Sequence, residues 1–165
     1  MSYMPGRFVV RPSWLYPVLA SILVWSGISP AQQDQSDISA SERTLAAQRF
    51  ATQRLSVWQK RLNLEDWTIT VEMARTTDLK PKTLGNIHWD LEKKTAVIRV
   101  LDPADYRLPH QAMLADMEFT VVHELIHLNF APVLADLQRS DANRREEEFA
   151  VNHMAEALLK MDHGQ

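Results

Sequence analysis

Residues His123–His127 read HELIH, so two histidines stand four positions apart and a glutamate follows the first. On an α-helix, residues four apart lie on one face, where two imidazoles can bind a single metal ion. Glu124 lies about 100° further round the helix. From there its carboxylate can reach a water on that ion without itself being a ligand. This run therefore predicts a metal centre that activates water to hydrolyse amides.

The residues around this run predict a buried helix. Asp116–Phe130 contains no proline or glycine, and apolar residues occur on almost every side of its helical wheel. A helix that is apolar all round is a buried one, and buried histidines need partners. The alternative is that both histidines are core residues whose hydrogen bonds are made within the protein. Their spacing, which suits a metal ion, and the presence of Glu124 between them favour the metal centre.

A catalytic zinc needs a third protein ligand and an open fourth position. The chain has no cysteine, so the third ligand must be a histidine, an aspartate or a glutamate. Arg144–Met161 is the obvious segment to supply the third ligand, because it has the pattern of an amphipathic helix. The predicted apolar face of that helix consists of Ala150, Val151, Met154, Ala155, Leu158 and Met161.

Three adjacent glutamates begin this second helix. With Val151 at the centre of the apolar face, Glu147 and Glu148 fall within the face and Glu146 falls outside it. Periodicity therefore leaves two candidate ligands. We favour Glu148, because Asn152 follows it by one turn and could orient a liganding histidine from outside the ligand set.

These residues resemble a known arrangement. HELIH, then about twenty residues, then E-x-x-V-N-x-x-A-x-x-L-L resembles the gluzincins, in which a glutamate on a following helix completes two histidines. More narrowly, Trp67–Leu159 is similar to the minimal zincin domains of SprT-like and ImmA/IrrE-type metallopeptidases, many of them encoded by bacteria and phages. The likeness covers a strand that begins with Trp, a glycine-containing strand that ends in Trp-Asp, a strand with Thr-Ala-Val-Ile, and TVVHELIHL.

The resemblance implies that His123, His127 and Glu148 bind one zinc ion and that Glu124 is the catalytic base of a peptidase. Zinc would polarise the scissile carbonyl and acidify its bound water, while Glu124 passes the proton to the leaving amine. SprT relatives often use a third histidine instead. His153 is the candidate here, but it points about 160° away from the centre of the apolar face, so it is discounted.

Such a site usually includes a donor to the oxyanion and a surface that holds the substrate. His88 on the second predicted strand, and Tyr106 and His110 in the loop that follows the sheet, are candidate donors, and none is favoured. A strand edge beside the zinc could bind an extended peptide by strand addition. Trp89 could line the cleft, although core packing is the commoner role of such a residue.

The remaining pattern predicts a compact α+β domain with a zincin-like arrangement and a three- to four-stranded sheet. Ser41–Leu62 is a predicted helix that Ser41 caps, with a partial apolar stripe through Leu45, Arg49 or Phe50, Gln53, Val57 and Leu62. The predicted strands are Asp66–Met73, Leu84–Leu91 and Lys94–Leu101, with a hairpin turn at Glu92-Lys93 and a crossing segment at Asp105–Pro109.

Residues 1–31 have the pattern of a secretory signal peptide. Arg7 and Arg11 precede an uncharged apolar stretch, and Ser29-Pro30-Ala31 offers a cleavage site after Ala31. We therefore expect a periplasmic or secreted bacterial protein, or a membrane-anchored one if the segment is retained. An upstream extension from a misassigned start codon is the alternative. Residues 32–40 are a predicted linker, and residues 41–165 the predicted peptidase domain.

Charge and composition narrow the function further. The 165-residue chain has a formal net charge of -3, and its basic residues are scattered, which argues against a nucleic-acid surface. A protein or peptide substrate is the expected partner. Two rival hypotheses are a non-catalytic zinc-binding structural or sensory domain and a secreted interaction module whose HELIH run is accidental. A structural zinc site has no use for Glu124.

Overall fold

The computed structural model describes residues 39–81, 83–138 and 140–164, so the predicted signal peptide and nearly all of the predicted linker lie outside the described residues. The described elements are α1 (Ala40–Arg61), β1 (Thr68–Ala74), β2 (Gly85–Asp90), β3 (Thr95–Leu101), α2 (His110–Leu134) and α3 (Asp141–Asp162). Three helices and a small mixed sheet confirm the predicted α+β class. Among the described residues, no helix has the length and apolar character needed to cross a bilayer.

The sheet has the order β1-β3-β2, with β1 parallel and β2 antiparallel to β3. The β2–β3 hairpin turns where predicted. There the carboxylate of Asp90 accepts the backbone N–H groups of Glu92 and Lys93 at 3.1 and 3.0 Å. In the described part of the chain β2 is an outer strand of the sheet, so one of its edges faces away from β3.

One face of the sheet forms the core with the helices. Strand alternation places Val71, Ile98 and Val100 on this face, and all three are buried. The opposite face carries polar side chains, including the exposed Thr70 and Glu72. Burial on one face only is what the alternation in the predicted strands requires.

Helix α1 differs from its prediction in both its cap and its buried face. Ser39, rather than Ser41, is the N-cap, since its hydroxyl accepts the Glu42 N–H at 3.2 Å while the Glu42 carboxylate accepts the Ser39 N–H at 2.8 Å. The predicted stripe was only partly right, since Phe50 and Leu62 pack against the core but Leu45 is half exposed. The residues that the helix buries most are Ala47, Ala51, Leu55 and Trp58. Small alanine side chains let α1 lie close to α2 and β1.

Helix α2 is the predicted buried helix, although it begins earlier and ends later than Asp116–Phe130. His110, predicted in a loop, is its first residue. Val121, Val122 and Leu125 are fully buried at its centre. The segment before α2 is fixed by the Tyr106 hydroxyl, which donates to the carboxylate of Asp116 at 2.9 Å.

Helix α3 packs mainly against α2 and buries a narrower face than predicted. Val151 and Ala155 are fully buried, as the periodicity indicated. Ala150, Met154 and Met161, assigned to the same face from the sequence, are exposed. A helix with one main neighbour needs only a thin apolar stripe, so the breadth of the predicted face was wrong.

Gly85 at the start of β2 lets α2 approach this strand. A Cβ at this position would lie 2.4 Å from the Cγ2 of Thr120 and 2.6 Å from the backbone oxygen of Arg99. Neither separation is tolerable, so only glycine fits without movement of the helix or the strand. This close approach places the central part of α2 beside the outer strand.

Candidate metal centre

Three side chains from α2 and α3 converge on one point. The Nε2 atoms of His123 and His127, one turn apart on α2, are 3.0 Å from each other. On α3, Oε2 of Glu148 lies 3.3 Å from Nε2 of His123, and Oε1 of the same carboxylate lies 3.4 Å from Nε2 of His127. Helix geometry brings the histidines together, whereas the packing of α3 on α2 supplies the glutamate. We refer to His123, His127 and Glu148 as the candidate metal centre.

These separations fit a single divalent cation. In a tetrahedral zinc site with ligand atoms at about 2.0–2.1 Å, neighbouring ligand atoms are about 3.3 Å apart. The Nε2–Nε2 distance of 3.0 Å is close to that edge length, and so are the distances of 3.3 and 3.4 Å from the two Glu148 oxygens to the nearer histidine nitrogen. Two imidazole nitrogens with one carboxylate group are a donor set that zinc and other divalent transition metals accept.

Glu147 has a different position from Glu148. Its Oε1 lies 2.9 Å from Nδ1 of His127, the ring nitrogen that faces away from the other two ligand atoms. The Glu147 side chain is 11% exposed, against 57% for Glu148. A carboxylate on the second nitrogen of a liganding histidine fixes its tautomer and ring orientation. The sequence left both glutamates open as ligands, and the structure gives them separate contacts.

The surroundings of His123 favour its neutral form. Burial and the neighbouring His127 ring lower the pKa of His123, and Glu148 and Asn152 act in the opposite direction. The Phe119 ring, one turn earlier on α2, lies 6.0 Å from the His123 ring between centroids. A neutral imidazole is the form that binds metal. Asn152 on α3 thus lies near His123.

Glu124 is buried beside the candidate metal centre and lines the same cleft. Burial, and secondarily the charge of Glu148, raises the pKa of Glu124 to about 8, while Lys80 acts in the opposite direction. A bound cation would lower this pKa through its own charge. A carboxylate with a pKa tuned toward neutrality is suited to take and return protons.

The cleft has a volume of about 550 Å³ and runs between the outer strand β2 and the two helices of the centre. The N–H of Leu101 donates to the carbonyl of Leu84 at 2.9 Å, which identifies a hydrogen-bonded pair. Because such pairs alternate along an antiparallel ladder, the N–H and C=O groups of Gly85, Ile87 and Trp89 point away from β3. All three residues line the cleft.

The candidate oxyanion donors are placed elsewhere. His88 lies on the exposed face of the sheet, Tyr106 donates to Asp116, and His110 is exposed at the start of α2. None of the three lines the cleft as the described residues form it. Lys80 and Arg144 do line it, and both were missed by the sequence analysis. Each is a charged residue of ordinary appearance, and only the fold brings it to the cleft.

A second group of acidic residues with a histidine includes Glu118, which lies on α2 five positions before His123. Glu118, Asp162 and His163 lie close enough together for metal binding. However, Arg54 already bridges two of them, since its guanidinium contacts Glu118 and lies 2.9 Å from Asp162. The Trp58 indole N–H also donates to Glu118 at 2.8 Å. This arginine cluster, Arg54 with Glu118 and Asp162, is an ion-pair network and no candidate metal site.

Comparisons of the chain with known protein families, with curated proteins and with solved structures find no match. The resemblance to minimal zincins therefore stays a prediction that rests on the motifs quoted above.

Proposed function

We propose that this chain is a zinc-dependent peptidase in which His123, His127 and Glu148 hold one Zn²⁺ and Glu124 is the general base. The observation that carries the proposal is the convergence of these three ligand atoms in a cleft that also contains a buried carboxylate. When bound, the cation would supply a Lewis acid that polarises a carbonyl group and acidifies water.

The chain's own residues would perform the remaining tasks. Glu124 would take a proton from water in the cleft and deliver it to the departing amine nitrogen. Glu147 would keep the His127 ring in the tautomer whose Nε2 faces the cation. Burial of Glu124 and of His127 limits the access of bulk water to both groups.

An extended protein or peptide segment is the substrate that this cleft fits best. The outward N–H and C=O groups of Gly85, Ile87 and Trp89 can pair with the backbone of such a segment, which would then lie along β2. Backbone pairing orients a peptide without regard to its sequence. It would place one amide of the substrate next to the candidate metal centre.

Peptide hydrolysis by the full chain tests this proposal. We expect the zinc-loaded wild type to cleave members of a mixed peptide library, with cleavage products identified by mass spectrometry. Glu124→Gln removes the base but preserves shape, and we expect it to lower kcat by about 10²–10⁴-fold. Its zinc content is the control and should match that of the wild type.

Two outcomes would contradict the proposal in different ways. Equal cleavage by the wild type and Glu124→Gln would remove Glu124 from the reaction. Zinc bound by both proteins, with cleavage by neither across the library, would instead favour the non-catalytic zinc-binding domain considered as the rival.

A further inference from the structure

A second, smaller pocket opens beside the candidate metal centre. Its volume is about 180 Å³. Its walls are apolar, and His127 and Glu147 form its border with the centre. The lining apolar residues are Trp89 and Leu91 from the β2 end of the hairpin and Ala131, Leu134 and Ala135 from the end of α2.

The position of this pocket relates it to the cleft. Trp89, His127 and Glu147 line both cavities, so a molecule bound at the centre would lie at the mouth of the pocket. The cleft extends to Lys80 before β2, whereas the pocket lies at the opposite end, where β2 finishes. A peptide paired with β2 would therefore have the pocket on one side of its central amide.

We propose that this pocket selects an apolar side chain on the N-terminal side of the cleaved bond, an inference that rests on the proposed peptidase function. Antiparallel pairing is the more common arrangement of neighbouring strands. A segment antiparallel to β2 passes its N-terminal part over the end of β2, which is where Trp89 and Leu91 lie. The side chain that precedes the scissile amide is then the one next to the pocket.

The size and walls of the pocket define the side chain that it accepts. A dry apolar cavity of about 150 Å³ is large enough for benzene, so a pocket of this volume fits leucine, methionine or phenylalanine. Burial of such a side chain contributes enough binding free energy for a preference of about 10- to 100-fold in kcat/KM. Asparagine, which is close to leucine in size, would lose its hydrogen bonds to water on the same apolar walls.

Paired peptides and a blocking substitution test this inference on the full zinc-loaded chain. We expect a peptide with Leu before the cleaved bond to be hydrolysed at least 10-fold faster than its Asn counterpart. Ala135→Phe, at an exposed position on the rim, should fill the pocket and abolish that difference. Ala112→Phe, exposed near the start of the same helix, is the matched control and should retain it.

The outcomes separate this inference from the peptidase function itself. Cleavage without a preference at that position, or with an apolar preference only after the cleaved bond, would overturn the inference and leave the peptidase function intact. If the wild type cleaves no peptide, calorimetric binding to zinc-loaded Glu124→Gln decides the matter. Tighter binding of the Leu peptide that Ala135→Phe removes supports the pocket, and equal binding of the two peptides overturns it.

Discussion

Helix α2 contributes to both the arginine cluster and the candidate metal centre, and the two differ in how the negative charge of their carboxylates is balanced. In the arginine cluster, Glu118 is nearly fully buried and contacts the Arg54 guanidinium, which also reaches Asp162. In the candidate metal centre, His123 and His127 lie five and nine positions further along, and the carboxylate of Glu148 faces their ring nitrogens. The potential ligand atoms of His123, His127 and Glu148 lie within 4.8 Å of one another, and the same holds for Glu118, Asp162 and His163.

The difference shows that closeness of ligand atoms is insufficient to identify a metal centre. Arg54 provides five N–H donors in a fixed plane, so the arginine cluster has its cation built into the chain. The candidate metal centre combines a neutral-favouring histidine with a second histidine that Glu147 orients. We therefore expect substitutions in the arginine cluster to change folding stability, and substitutions in the candidate metal centre to change metal affinity.

Among substitutions that distinguish the arginine cluster from the candidate metal centre, Arg54→Met is expected to have the largest effect. This substitution leaves the buried Glu118 carboxylate without its guanidinium, which should reduce the free energy of unfolding by about 3 kcal/mol. Urea denaturation followed by circular dichroism measures it, with an unchanged slope indicating an unchanged fold. Zinc affinity should remain that of the wild type. Loss of zinc from a folded Arg54→Met protein would contradict the division of roles.

Glu147→Gln tests the orienting contact within the candidate metal centre. Removal of the charge next to Nδ1 of His127 should weaken zinc binding by about 10- to 100-fold without abolishing it. Competition with a chromogenic chelator measures this affinity. Glu146→Gln, one residue earlier and exposed, is the matched control and should have no effect. An affinity for Glu147→Gln equal to that of Glu146→Gln would show that the contact has no influence on the metal.

Acidification should affect the two clusters in sequence. Zinc affinity should fall as the pH decreases below 6.5 and through the lowered pKa of His123, because a protonated His123 ring cannot bind metal. Arg61 and Arg54 lower the pKa of Asp162 below 3.8, so the stability from this carboxylate is present above 3.8 and is lost only as pH falls through the lower folded value. Zinc release before unfolding is the expected order, and an indicator dye with circular dichroism records both. Unfolding before release would contradict it.

The parts of the site that were predictable from sequence are the local ones. The HELIH spacing defines the contact between His123 and His127 because one helical turn is enough to bring them together. Strand alternation and the hairpin turn were predictable for the same reason. Glu148 required a periodicity argument that left Glu147 equally possible, since two adjacent residues on a helix differ by only about 100°.

The rest depends on contacts between distant parts of the chain. Arg54 meets Glu118 and Asp162 across 64 and 108 positions, so no local pattern predicts the arginine cluster. Lys80 enters the cleft from a loop in the same way. The apolar stripe of α1 was misassigned in part because Ala47 and Ala51 carry little hydrophobic signal, although their small size makes them contact residues.

Zinc stoichiometry of the full chain tests whether His123, His127 and Glu148 bind one metal ion. The wild type, Glu148→Ala and Glu146→Ala would be dialysed against a weak chelator and analysed for bound metal by atomic emission. We expect one zinc per chain in the wild type and in Glu146→Ala, and loss of zinc in Glu148→Ala with an unchanged circular dichroism spectrum. A wild type that retains no zinc, or a Glu148→Ala protein that retains it fully, would contradict a metal centre formed by His123, His127 and Glu148.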